Sequence, residues 1–99
     1  MKLQMSSLKF DADTALLDFI QKKADKLDTF YDRIIDGEVN LKVNKSEQKE
    51  NKIVEMKLNV PGTTLFASQQ SKSFEEATDL TVEALRRQIK KHKEKKMAH

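Results

Sequence analysis

The sequence predicts an α+β fold with the element order β-α-β-β-β-α, a four-stranded mixed sheet with two helices packed on one face. Two segments place apolar residues three and four positions apart, which is the spacing of an amphipathic helix. Four shorter segments alternate apolar and polar residues, which is typical of strands with one covered and one wet face. The 99 residues suit one small domain, residues 1–99, with a single core.

The first strand and the first helix occupy the first third of the chain. Leu3 and Met5 alternate with polar residues, and the phase of the alternation shifts at Leu8, which predicts a bulge or the end of the strand. Asp11 or Asp13 is expected to cap the helix, because a short carboxylate accepts the unpaired N–H groups of the first turn. The apolar stripe of this helix consists of Leu17, Ile20, Ala24, Leu27 and Tyr31.

Three strands are predicted after the first helix. Two of them are the alternating runs 39–43 and 54–60, and the polar segment 45–51 between them indicates an exposed hairpin loop. Pro61-Gly62 predicts a turn before the fourth strand, residues 64–70, since Pro presets φ and Gly can take a positive φ. A right-handed crossover makes the first two strands parallel, and the two hairpins make the other pairs antiparallel.

The second helix is long. Ser73 is a good N-cap, and Glu76 three residues later completes the spacing of a capping box. The strong apolar pattern ends at Ile89, so the helix is expected to project beyond its packing partner. One side of this helix is lined by Phe74, Ala77, Thr81, Ala84, Leu85, Gln88 and His92.

Positive charge is concentrated at the end of this second helix. Residues 86–96 hold seven Lys and Arg residues and one Glu, a net charge of +6, while the rest of the chain carries −3. This distribution is typical of a protein that binds a polyanion, which in the cytoplasm is usually nucleic acid. The helix macrodipole also favours cations at a C-terminus, but it acts only within the last turn, and these cations span about three turns.

The composition argues against an enzyme. The absence of Cys excludes thiolate nucleophiles, disulfides and Cys-based zinc sites. His92 and His99 are the two histidines and have no obvious partner, so we predict no catalytic residue and no metal site. Two glycines cannot form a Gly-rich phosphate loop, and so small a domain has no room for a buried cofactor. We expect no cofactor and no small-molecule substrate.

The apolar pattern also argues against a membrane partner. Apolar residues never run more than three in a row, so no segment is long enough to span a bilayer, and no signal-peptide stretch is recognisable. We therefore expect a soluble cytoplasmic protein. Most aromatic residues fall at predicted core positions, with Phe19 as the exception. Without a cluster of exposed aromatic residues, base stacking is not indicated, and binding should depend on phosphates and shape.

Two stretches of the chain resemble a known family. Residues 22–34, Lys-Lys-Ala-Asp-Lys-Leu-Asp-Thr-Phe-Tyr-Asp-Arg-Ile, resemble the end of the first helix in the bacterial ribosome hibernation-promoting factor family, also called the ribosome-associated inhibitor family. Residues 74–80 and 85–93 look like its second helix, and the run Arg-Gln-Ile-Lys-Lys-His-Lys at 87–93 is the most specific feature. The chain resembles the short form of the family, which lacks the linker and second domain of longer members.

The resemblance implies a double-stranded-RNA-binding-like fold and a ribosomal partner. Members of the family bind the small ribosomal subunit in the cleft between head and body when growth slows, where they block messenger RNA and transfer RNA. Basic residues of both helices meet ribosomal RNA phosphates, and the protein is expected to be a monomer when free. The positions that match the family's basic residues are Lys22, Lys23, Lys26, Arg33, Arg86, Arg87, Lys90, Lys91 and Lys93.

One departure and two alternatives accompany this interpretation. Members of the family often carry a Gly-Arg turn after the first strand, whereas residues 7–11 here are Ser-Leu-Lys-Phe-Asp. The alternatives are a general double-stranded-RNA-binding module and a basic module that binds proteins or membrane surfaces.

For the ribosomal hypothesis, charge reversal at Lys90, Lys91 and Lys93 is expected to abolish binding with little change in melting temperature.

Overall fold

The computed structural model describes residues 1–8, 10–44 and 51–97 and has the predicted element order. The sheet order is β1-β2-β3-β4, with β1 and β2 parallel and the other pairs antiparallel, which confirms the predicted fold class. Residues 45–50 of the predicted hairpin loop lie outside the described residues. The elements are β1 Leu3–Ser7, α1 Thr14–Phe30, β2 Asp36–Val43, β3 Lys52–Val60, β4 Thr63–Ser71 and α2 Phe74–Met97.

The predicted N-caps of both helices and the predicted turn at Gly62 are confirmed. Asp13 caps α1, because its Oδ1 accepts a hydrogen bond of 2.8 Å from the backbone N–H of Leu16. Ser73 caps α2 in the same way, with the N–H of Glu76 donating to its Oγ at 3.1 Å. Gly62 has a φ of +85°, the left-handed conformation that the turn between β3 and β4 requires.

Both helices cover the same face of the sheet and form one core with it. Burial alternates along β2 and β3, so every second side chain points at the helices. In the part of the chain that the structure describes, neither helix is long and apolar enough to cross a membrane. The core side chains that are almost completely buried are Ile20, Ala24, Leu27, Val39, Leu41, Val54, Met56, Leu58, Val60, Ala77, Leu85 and Ile89.

The N-terminus is tied to α1 by a small polar network. The Met1 ammonium donates to Asp25 Oδ1 at 2.9 Å and to Asp28 Oδ2 at 2.5 Å. Gln21 Nε2 donates to the Met1 carbonyl and to Asp25 Oδ1, both at 2.8 Å. The hydrogen bonds to Asp28 and Asp25 raise the pKa of the Met1 amino group, and the bond from this group lowers the pKa of Asp25.

The network predicts a pH window of stability. The amino group stabilises the fold fully below its ordinary pKa of 8.0, and this contribution is lost as the pH rises through the raised value. Asp25 stabilises the fold above its ordinary pKa of 3.8, and this contribution is lost as the pH falls through the lowered value. Asp25→Asn is therefore expected to lower the melting temperature most between these limits. The control is Asp18→Asn, an exposed site on α1, and equal melting profiles for the two variants would contradict the assignment.

A second prediction concerns Gly37, where β2 passes closely between its neighbours. A Cβ at this position would lie 2.7 Å from Leu3 Cδ2 and 2.9 Å from both Leu58 Cδ2 and the Lys57 carbonyl oxygen. Gly37→Ala is expected to lower the free energy of unfolding by about 1–3 kcal/mol, because overpacking displaces side chains or backbone. Urea denaturation measures the loss. Ser68→Ala, at an exposed position of β4, should stay within about 0.5 kcal/mol of the parent protein.

Candidate nucleic-acid interface

Basic residues of the two helices meet along the seam between α1 and α2. One groove on this seam is lined by side chains that include Lys23, Lys26 and Arg86. A second groove is lined by residues of the C-terminal half of α2 together with Phe30 of α1, and the two grooves share Phe30, Glu83 and Arg86. We call this continuous surface the basic groove. Its cationic side chains are Lys23, Lys26, Arg86, Arg87, Lys90 and Lys93.

The structure thus brings together six of the nine basic residues singled out from the sequence. The other three, Lys22, Arg33 and Lys91, are exposed but do not line the groove. Lys22 lies on α1, Arg33 lies in the turn after α1, and Lys91 lies on α2. Of the predicted basic segment 86–96, the side chain of Lys96 lies outside the described residues.

Helical periodicity and the core together orient the basic groove. Leu85 and Ile89 are fully buried and hold α2 on the sheet. Arg86, Lys90 and Lys93 follow one another at spacings of four and three, so they share the face of α2 that looks toward the end of α1. The positions of the cations in the groove are therefore set by the packing of the core residues on the same helix.

Lys23 joins the two helices. Its Nζ lies 3.2 Å from Asp79 Oδ1 on α2 and 5.4 Å from the centre of the Phe19 ring on its own helix. The Lys23 side chain is 31% exposed and Asp79 is 53% exposed, so water screens the pair. Lys23 is consequently a partly neutralised cation at one end of the basic groove.

Phe30 lies at the centre of the part of the basic groove that is formed with the C-terminal half of α2. The half-buried ring lies 5.3 Å from the guanidinium carbon of Arg86 and 4.8 Å from Lys93 Nζ, so it attracts two cations through its π face. Lys93 Nζ also donates a hydrogen bond of 2.9 Å to the Phe30 carbonyl oxygen. Arg86 has a further, looser contact of 3.7 Å with Glu83. The apolar periodicity of α1 does not indicate this role for Phe30.

Three cations of the groove remain free for an external ligand. Lys26, Arg87 and Lys90 are exposed, and within the described residues none of them forms an ion pair. Asp79, Glu83 and Glu94 line the same grooves and moderate the repulsion among the cations. The arrangement suits an extended polyanion, because separated free cations on two helices can contact successive negative charges.

One of the two histidines, His92, contacts the residue that follows α1. His92 is half-buried, and its ring packs edge-on against Tyr31 with 5.8 Å between the ring centres. Neither Tyr31 Oη nor His92 Nε2 has a hydrogen-bond partner in the described structure. His99 lies outside the described residues. Among the described residues, no group of three or more His, Asp or Glu side chains is placed to hold a metal ion.

Known proteins share both the sequence pattern and the fold. Residues 3–97 match the family described as Sigma 54 modulation protein / S30EA ribosomal protein. A ribosome hibernation promoting factor of Klebsiella oxytoca is 33% identical over 99 residues, which is 100% of both chains. A factor of the same name from Azotobacter vinelandii is 33% identical over 98% of this chain and 87% of its own. The structure of a ribosomal subunit interface protein from Coxiella burnetii has a TM-score of 0.84 and 28% identity, covering 94% of this chain and 98% of that one.

The contact between Lys23 and Asp79 gives a prediction about polyanion binding. Asp79→Asn is expected to change the free energy of unfolding by less than about 1 kcal/mol, because exposed ion pairs stabilise weakly. It should at the same time raise the salt concentration that elutes the protein from immobilised heparin, since Lys23 loses its neutralising partner. Glu38→Gln makes the same charge change at an exposed site on β2, outside the basic groove, and should raise elution less. Equal increases would show that net charge alone governs retention.

Proposed function

The chain belongs to the Sigma 54 modulation protein / S30EA ribosomal protein family, and we propose that it is a non-enzymatic factor that binds the ribosome and stops translation in hibernating cells. Relatives that match it over their full length carry the name ribosome hibernation promoting factor. We also propose the binding site, which is the cleft of the small ribosomal subunit where transfer RNA pairs with the codons of messenger RNA. The partner is ribosomal RNA, and the place of action is the cytoplasm.

The basic groove is the observation that carries this proposal. Lys26 on one helix and Arg87 and Lys90 on the other are exposed cations on a single surface, so they can neutralise phosphates at several points of a folded RNA. No aromatic side chain of the groove is freely exposed, because Phe30 is half-buried beneath two cations. Recognition would then depend on backbone charge and shape rather than on stacked bases.

Inhibition by this route requires no covalent step. The described residues extend 49 × 24 × 18 Å, an elongated body suited to a cleft. Phosphate contacts along the basic groove would hold the body in place, and its volume would exclude messenger RNA and transfer RNA from the same space. Release of counterions from the RNA supplies much of the affinity, which makes binding strongly dependent on salt.

The test is a pair of charge reversals that leaves the internal contacts intact. Arg87→Glu with Lys90→Glu is expected to abolish co-sedimentation with small subunits while changing the melting temperature little, because both side chains are exposed. The charge reversal expected from the sequence alone uses Lys91, which does not line the groove, and Lys93, whose hydrogen bond to the Phe30 carbonyl makes it unsuitable for this purpose. Lys2→Glu with Lys57→Glu places the same charge change at two exposed sites outside the groove, one just before β1 and one on β3, and serves as the control.

The competing interpretations give different results in the same assay. Absence of pelleting by the parent protein with small subunits, even at low salt, would overturn the proposal. Effective competition by a naked RNA duplex would favour a general double-stranded-RNA-binding module. Flotation with anionic vesicles and no pelleting with ribosomes would favour a membrane-surface module.

A further inference from the structure

We propose that Lys93 is a positioning residue of the basic groove and not a phosphate ligand. Its ammonium fastens the C-terminal end of α1 to α2 and thereby sets the spacing between the cations of the two helices. The inference rests on the proposed function, since it concerns how the same surface binds RNA. It also separates Lys93 from Lys90 and Lys91, which the sequence groups together.

Lys93 binds the C-terminal end of α1, where a cation is favourable. The last carbonyl groups of a helix have no partner within the helix, and they carry its partial negative charge. The last turn of α1 contains no basic residue of its own. Lys93, 63 residues later in the chain, supplies the missing cation and donates to the Phe30 carbonyl oxygen at 2.9 Å. The second helix therefore caps the first one.

Two contacts within the protein hold the Lys93 ammonium. Lys93 is half-buried, whereas Lys90 and Lys91 are exposed. The Lys93 ammonium lies 4.8 Å from the centre of the Phe30 ring, so a cation–π contact adds to the hydrogen bond. A phosphate that drew Lys93 away would break both contacts and leave the Phe30 carbonyl without this donor. Exposed neighbours can bind a phosphate without such a loss.

The contact between Phe30 and Lys93 lies close to two of the free cations of the groove. Lys26 precedes Phe30 by about one helical turn, and Lys90 precedes Lys93 by about one turn. Fixing Phe30 to Lys93 therefore fixes the offset between Lys26 and Lys90. The pair Lys23–Asp79 joins the helices in the preceding part of the seam, at 3.2 Å. Two lysines that bridge the helices thus hold the cations that are free to bind.

The experiment compares Lys93→Met with Lys91→Met, which removes the same charge from an exposed neighbour. For each variant we would measure the melting temperature, the affinity for small ribosomal subunits and the dependence of that affinity on salt. Lys93→Met is expected to melt about 4 °C or more below the parent protein. It should bind about 5- to 10-fold more weakly, with an unchanged slope of log affinity against log salt, because no phosphate contact is lost.

Lys91→Met should keep the melting temperature of the parent, and any phosphate contact that it loses should reduce the salt slope by about 0.9. A second variant, Phe30→Leu, removes the ring beneath Lys93 without altering any charge. A weaker affinity for this variant, again with an unchanged slope, supports the positioning role. Lys93→Arg keeps a donor for the Phe30 carbonyl and should behave as the parent.

Three results would overturn the inference. A reduced salt slope for Lys93→Met with an unchanged melting temperature would make Lys93 a phosphate ligand. A lower melting temperature of Lys93→Met with full affinity would show that the Phe30–Lys93 contact stabilises the fold and has no role in binding. Failure of the parent protein itself to bind small subunits would remove the proposed function and the positioning role together, and the parent assay distinguishes this result from the other two.

Discussion

Packing of α1 and α2 side by side on one face of the sheet is the constraint from which the basic groove arises. The sheet has a single covered face, so both apolar helix stripes must use it, and the helices come into contact along their length. The outward side of that contact is where the charged side chains of the two helices have to lie. Ile89 and Leu85 are therefore as necessary for the position of Lys90 as any charge near it.

Collecting cations on one surface costs electrostatic free energy, and the structure offsets this cost locally. Asp79 and Glu83 contact Lys23 and Arg86, and the Phe30 ring offers its negative face to two cations. The end of α1 contributes partial negative charge without adding an acidic side chain that would repel a polyanion. The groove can thus keep a positive potential while its innermost cations are satisfied within the protein.

The fold was predictable from the sequence because its signals are local. The caps at Asp13 and Ser73 and the turn at Gly62 depend on residues within three positions of one another. The contact between Lys93 and Phe30 was not predictable, since it joins residues 63 positions apart and serves a helix end that merely lacks a cation. Thr78 is a core residue that the apolar pattern does not indicate, because its side chain is polar. Its hydroxyl donates to the carbonyl four residues earlier, so it is buried without an unpaired group.

The run at residues 87–93, the most specific sequence feature, contains residues that make contacts within the protein and residues that are exposed to solvent. Gln88 donates to a carbonyl of the edge strand β4 at 2.7 Å, Ile89 is fully buried, and His92 packs against Tyr31. Lys93 holds the end of α1. A spacing that serves these internal contacts leaves the other positions facing solvent, because successive residues of a helix point in different directions. The specificity of the run therefore reflects the fold as much as the partner, and the residues left free for a polyanion are Arg87, Lys90 and Lys91.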